Sequence, residues 1–228
     1  METLFIEAKK ILNSKEKEKI KKVVEGFRNK FTYIKKIGLV ASIQYIDFLK
    51  EFRRYLEKEK IKTFVSHGRL TSYNGQILGC DIIAAKRIAK KVDAFLIVTS
   101  GNFHALQLAL QIDKPIFVYN QNTIYKIDEK EIERIRKKRK GTIAKLLNAR
   151  EIGILVSIKP GQENLIRAIK IKRKIEKKGK KAFIFITNTL QPQELENFSC
   201  ECWINTACST LIFDSSKLVN WEEVRHFF

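Results

Sequence analysis

Four of the 228 residues are cysteines, at positions 80, 200, 202 and 208, and thiol chemistry is the most reactive option the chain offers. Cys80 sits in "NGQILGCD" (74–81), behind glycines at 75 and 79 that let a backbone approach a bulky ligand, and Cys208 ends "CWINTAC" (202–208). The opening "METLFIEAKK" lacks the basic start and long apolar core of a signal peptide, so a disulfide framework is not expected. Metal or redox chemistry then competes with plain packing. Cys200 and Cys202 fall i, i+2 on one face of a strand, without the paired-turn spacing of a zinc knuckle, and read as structural. Cys80 and Cys208 each read either as a small buried hydrophobe or as a ligand. His104, in "SGNFHALQL" (100–108), stands just past a strand end, as a functional group or as a cap on the next helix. His67 and His226 have no neighbours that suggest a role. HExxH, Walker, GxSxG and GxGxxG patterns are all missing, which removes zinc protease, P-loop, hydrolase and ordinary dinucleotide readings.

The elements that must position these residues follow from periodicity. Ile20, Val23, Val24, Phe27 and Phe31 recur at helical spacing, and "IGLVAS" (37–42) reads as a fully buried strand. A helix with Tyr45, Leu49, Phe52 and Leu56 on one side leads to a short strand, "KTFV" (62–65). "IIAAKRIAKK" (82–91) looks helical, and "AFLIVTS" (94–100) and "PIFVYN" (115–120) read as strands. Short apolar strands alternating with helices predict an α/β fold with parallel sheets covered on both faces.

The pattern then restarts. "KIGLVASIQ" (36–44) and "EIGILVSIK" (151–159) align without a gap, and "KKAFIFIT" (180–187) stands where "KTFV" stood. Two related α/β domains are therefore expected. The expected boundaries are 1–34 for an N-terminal strand and linking helix, 35–127 for an α/β domain with Cys80, and 128–228 for a linking helix and C-terminal α/β domain with Cys208; the resemblance described below implies that the first segment is a strand remnant and 35–127 a middle domain. Each of these two cysteines would lie at the carboxyl end of its strands, where open parallel sheets gather ligands. The helix after Cys80 would favour its thiolate through the helix dipole.

Forty-five Lys and Arg against 25 Asp and Glu give a net charge of +20, concentrated in "RIRKKRKGTIAK" (134–145) and "KIKRKIEKKGKK" (170–181). Such charge attracts RNA, ribosomes or an acidic partner. In the second run, however, Leu165, Ala168, Ile169 and Ile175 share one helical face and leave the lysines on the wet side. No aromatic residue interleaves with these lysines, which weighs against binding of nucleic acid. No apolar run reaches membrane-span length, and a cytoplasmic protein is expected.

The motifs "GLVASIQY", "GQILGCD", "SGNFHALQLAL", "GILVSIKPGQ", "QPQELENF" and "WINTAC", in that order, resemble those of the diphthamide synthase family, the 2-(3-amino-3-carboxypropyl)histidine synthases. The resemblance runs from about residue 4 to the C-terminus. It implies the second and third domains of a three-domain fold in which each domain gives one cysteine to a [4Fe–4S] cluster. By motif, Cys80 is the middle-domain ligand and Cys208 the last-domain ligand. The fourth iron would bind S-adenosylmethionine, and a 3-amino-3-carboxypropyl radical would be transferred to a histidine of translation elongation factor 2, the first step of diphthamide synthesis. Gln76, His104 and Gln162 lie in matched motifs and are candidates for the cofactor pocket. Ser209 and Thr210 stand where the family has Pro-Arg after the last cysteine. "TLFIEAKK" (3–10) resembles the last strand of the first domain. The expectation is a split enzyme in which a separate protein supplies that domain and the third cysteine, with further dimerisation. The alternative is a non-catalytic subunit that stabilises or reduces a cluster on another chain.

Overall fold

A computed structural model describes residues 6–159, 163–189, 191–208 and 215–228. The chain divides into two compact units between Ile132 and Glu133. In the first, helix α1 (Ser14–Lys30) starts where Asn13 Oδ1 accepts the Glu16 N–H at 3.0 Å and buries Ile20, Val24 and Phe27, three residues of the stripe read from the sequence. Strand β1 (Lys36–Ala41), helix α2 (Phe48–Lys58), β2 (Lys62–Phe64), helix α3 (Ile83–Lys86), β3 (Ala94–Val98), helix α4 (Phe103–Gln111), β4 (Ile116–Asn120) and β5 (Thr123–Lys126) follow. The sheet order is β2-β1-β3-β4-β5, parallel except for β5. Alternation along the strands sends Leu39, Leu96, Val98 and Phe117 to α1 and α2, and Val40, Phe95, Ile97 and Val118 to the opposite face.

The second unit contains most of helix α5 (Glu129–Asn148), then β6 (Glu151–Ser157), helix α6 (Leu165–Glu176), β7 (Lys181–Thr187), β8 (Cys202–Asn205), β9 (Leu218–Asn220) and helix α7 (Trp221–Val224). Its sheet, β7-β6-β8-β9, is wholly parallel. Ile152, Ile154, Val156 and Ile204 pack against Ala168, Ile171 and Ile175 of α6, while Leu155, Trp203 and Leu218 fill the other face.

The two sheets repeat each other at matched positions. Gly38 lies beside Phe95 in the β1–β3 register, and Gly153 lies beside Trp203 in the β6–β8 register. Each glycine makes room for an aromatic ring: a Cβ on Gly38 would stand 2.5 Å from Phe95 Cε1, and one on Gly153 would stand 2.1 Å from Trp203 Cε3. A carboxylate closes the entrance of each sheet as well. Asp93 Oδ2 accepts the N–H groups of Lys35 and Lys36 at 3.0 and 2.8 Å, and Glu201 Oε1 accepts those of Arg150 and Glu151 at 2.8 and 3.1 Å.

Five expectations change. The buried face of α6 is Ala168, Ile171 and Ile175, whereas Leu165 and Ile169, expected on it, are exposed. Residues 6–10 form no strand, and Ile6 is 83% exposed; this part of "TLFIE" has no strand beside it among the described residues, and residues 3–5 lie outside them. Polar contacts hold the segment instead: Lys10 N donates to Gln44 O at 2.8 Å, and the Tyr73 hydroxyl donates to Glu7 at 2.7 Å. The helix expected over 82–91 is one α-turn, α3, and a 3₁₀ turn at Ala89–Lys91; burial of Ala84, Ala85, Ile88 and Val92 bends the segment onto the sheet. Cys200 and Cys202 do not share a strand face. Cys200 precedes β8 and packs with Leu195 and Trp203, whereas Cys202 packs with Ile152 and Ile204 on the other side. Finally, β5 is an unforeseen antiparallel strand, made by a tight turn with positive φ at Gln121 and Asn122.

Candidate functional site

The β2–α3 connection carries Cys80, and the sequence spends several side chains on fixing it. The loop returns to the carboxyl end of β1, where Ala41 N donates to Gly75 O and Ile77 N donates to Ala41 O, both at 2.9 Å. Gly75 has φ +80°, and a Cβ there would fall 2.5 Å from Leu49 Cδ1 and 3.2 Å from the Leu39 carbonyl. The close approach that Gly75 permits is thus to the protein's own core. Gln76 is buried, and its Oε1 accepts the N–H groups of Ser72 and Tyr73 at 3.1 Å each. Its carbonyl therefore supports the loop that carries Cys80. Arg87 Nη1 donates to His67 O at 2.8 Å and ties the start of the loop to the helical segment after it. Cys80 itself is exposed. With α3 only four residues long, the expected helix-dipole assistance to its thiolate has little basis.

Asp81, the neighbour of Cys80, is the residue that sequence reading passed over. It is 3% exposed, and Oδ2 accepts the Arg69 and Leu70 N–H groups at 2.8 and 2.6 Å while Oδ1 accepts that of Ile83 at 3.0 Å. Burial pushes its carboxyl up, but the N–H groups of Leu70, Ile83 and Arg69 outweigh this and hold it below the ordinary 3.8. A lowered folded value makes the contribution fully present above 3.8 and lost as pH falls through that lower value. Asp81→Ala is expected to cost about 1–3 kcal/mol by leaving buried donors unmatched. Urea unfolding at neutral pH measures that cost, and the difference from the parent protein should shrink in acid.

Cys208, partly exposed, follows β8. Asn205, 3% exposed, shapes its turn: Nδ2 donates to the Cys208 carbonyl at 2.7 Å and to Asn220 Oδ1 at 2.8 Å, while Oδ1 accepts the Ala207 N–H at 2.9 Å. The Thr206 hydroxyl donates to the Leu155 carbonyl at 2.7 Å, joining the turn to β6. Each exposed or partly exposed cysteine thus lies beyond the carboxyl end of strands in its own unit, on a turn braced by a buried polar side chain.

The other thiols differ. Cys200 and Cys202 are 4% and 1% exposed; burial pushes both thiols up, with the Glu151 carboxylate adding to the effect at Cys200. His104 falls in the first turn of α4 with Nδ1 3.5 Å from Thr99 Oγ1, and burial holds its imidazole below the usual value. His67 Nδ1 lies 2.7 Å from the Gly68 carbonyl. Gln162, Ser209 and Thr210 lie outside the described residues. Among the described residues, no group of three or more His, Cys, Asp or Glu side chains could hold a metal ion, and no helix is long and apolar enough to cross a membrane.

Comparison with known proteins places this geometry. The family model described as "Putative diphthamide synthesis protein" matches residues 1–220. The 2-(3-amino-3-carboxypropyl)histidine synthase of Pyrococcus horikoshii is 33% identical over 199 residues, which is 84% of this chain and 56% of that protein. The Caenorhabditis elegans 2-(3-amino-3-carboxypropyl)histidine synthase subunit 1 is 24% identical over 79% of this chain and 46% of its own length. The chain therefore spans about half the length of these relatives. The crystal structure of Dph2 from Pyrococcus horikoshii with a 4Fe-4S cluster superposes with a TM-score of 0.80 and 29% identity, covering 91% of this chain and 61% of that one. By sequence and by fold, the chain belongs to the diphthamide synthesis protein family.

Proposed function

We propose that Cys80 and Cys208 are thiolate ligands of a [4Fe–4S] cluster, and that the chain is a component of a split diphthamide synthase, a 3-amino-3-carboxypropyl transferase acting on a histidine of translation elongation factor 2. The observation that carries this reading is the division among the four thiols: Cys80 and Cys208 reach solvent on braced turns, and Cys200 and Cys202 are packed into the two cores. Thiolates are the usual cluster ligands, so the donor type fits. Its likeness to a Dph2 whose structure contains such a cluster supports the same assignment. When bound, a cluster held by three protein thiolates supplies an open iron for the amino and carboxylate groups of S-adenosylmethionine and an electron for cleaving its C–S bond.

The chain's own residues do the holding. Asp81, Gln76 and Arg87 fix the loop that presents Cys80, and Asn205 fixes the turn that presents Cys208. His104, kept toward the neutral imidazole by burial, is proposed as a polar contact for the cofactor, as is Gln162. Cys200 and Cys202 are committed to packing; the split arrangement proposed here assigns the third thiolate to the family's first domain, carried by a partner polypeptide. The name of the nematode relative, a subunit, agrees with a multi-chain enzyme. The two units correspond in this reading to the middle and last domains of the family, and the complex dimerises further.

The test is anaerobic purification of the chain alone and with the candidate partner, counting iron and acid-labile sulfide. The chain alone should hold less than one cluster and lose it on gel filtration; the pair should hold a full one. A stable, full cluster on the isolated chain rejects the split arrangement.

A further inference from the structure

The second unit has a groove that the cysteines do not use. Its long wall is α6, where Arg167, Lys170 and Lys174 recur at i, i+3 and i+7 and share a face. Trp221, Ile171, Arg225 and His226 complete the lining. Lys174 Nζ stands 5.7 Å from the Trp221 ring centroid. A single carboxylate, that of Glu222, serves both arginines, pairing with Arg167 and, at 3.3 Å, with Arg225. Lys170 and Lys174 have no carboxylate partner among the described residues. Burial, and then the charge of Arg225, both push the Arg167 guanidinium below its ordinary value, as expected where cations outnumber anions.

Toward the N-terminal end of α6 the character changes. Arg167 and Lys170 also line a second hollow with Leu165 and with Ile166, which is 74% exposed; the hollow's one carboxylate among the described residues is that of Glu163, so the two cations still outnumber it. Asn164, just before the helix, donates to the Thr206 carbonyl at 3.3 Å, so the groove begins beside the turn that carries Cys208.

The ligand must be anionic and must also cover an apolar side chain. The structure does bring an aromatic residue to these lysines, which sequence reading had not found, but Trp221 is 7% exposed and cannot receive a stacked base. Ile166 finds nothing to bury it on a phosphate backbone, whereas protein interfaces pair apolar centres with polar rims. We propose that this groove docks a protein segment in which acidic side chains surround an apolar one. The docking is independent of the cluster, so its failure leaves the cysteine assignment standing, and the reverse holds too.

Fluorescence anisotropy with the full chain tests it, near physiological salt. The probes are a labelled peptide of glutamates around a leucine pair, an all-glutamate peptide of equal length, and an oligouridylate of similar charge. The Glu/Leu peptide should bind best. The double change Lys170→Glu with Lys174→Glu should weaken it at least about tenfold, and Ile166→Asp should do the same. A matched change on exposed lysines beyond the groove, Lys177→Glu with Lys178→Glu, should stay within about twofold. Each variant's urea midpoint checks that it is folded. Tighter binding of the oligouridylate, indifferent to Ile166→Asp, overturns the proposal in favour of nucleic acid. Equal losses in the control pair reduce it to non-specific charge, and no binding by any probe rejects it.

Discussion

On the proposed assignment, replacing Cys80 or Cys208 by serine is expected to abolish cluster retention in the assembled complex and to lower histidine modification by more than the roughly 10–100-fold that losing even an outer partner of a metal ligand costs. The expectation rests on exposure and bracing. Neither side chain belongs to a hydrophobic core cluster, so a single-atom change should leave both sheets intact. The contrast is with Cys200 and Cys202, whose thiols fill core space: there serine buries a hydroxyl, and the loss appears as instability, about 1–3 kcal/mol, with the iron content of the folded fraction unchanged. Iron analysis, visible absorption and urea unfolding on the four single variants separate the two patterns. Unchanged modification by the Cys80 and Cys208 variants, in complexes that still assemble, would show that the chain is a non-catalytic scaffold.

The second large effect concerns Gly153 and Trp203. The indole is fully buried, with Phe185 and Phe198 at 4.6 and 5.7 Å between ring centroids, so it has little freedom to move. A methyl on Gly153 would meet three ring atoms at 2.1, 2.4 and 2.7 Å. Gly153→Ala should therefore destabilise the second unit by about 1–3 kcal/mol or more. Trp203→Ala should cost about 3–5 kcal/mol by opening a cavity. Their combination should cost less than the sum, because the added methyl occupies space that the lost ring leaves. Strict additivity in urea unfolding would mean that ring and glycine are not in contact.

Much of this frame was legible in the sequence because buried strands announce themselves as uninterrupted apolar runs. "IGLVAS", "AFLIVTS" and "EIGILVSIK" each contain a strand, and the repeat they suggested recurs in register and in packing. What stayed hidden depends on contacts distant in sequence or on very short elements. β9 has three residues, too few for periodicity, and β5 follows a turn built without glycine or proline. Asp81 and Asn205 were quoted within motifs yet not singled out. A polar residue beside the cysteine in "GCD", or ending the apolar run of "WIN", was the available signal. Whether such a side chain faces solvent or turns inward to backbone N–H groups is decided by the loop's return to the sheet. The same limit applied to Gln76, and to Trp221, which lies 47 positions after the lysine it approaches.

The paired glycine-and-ring frames also give the two sheets a common ruler. Phe95 and Trp203 occupy one place in the two sheets, and counting equally far beyond each brings Cys208 opposite Ser100. Cys80 hangs instead from the connection after the second strand of its unit. The two thiols thus stand at unlike branches of one repeated plan: the framework recurs from sheet to sheet, and the placement of the sulfur does not.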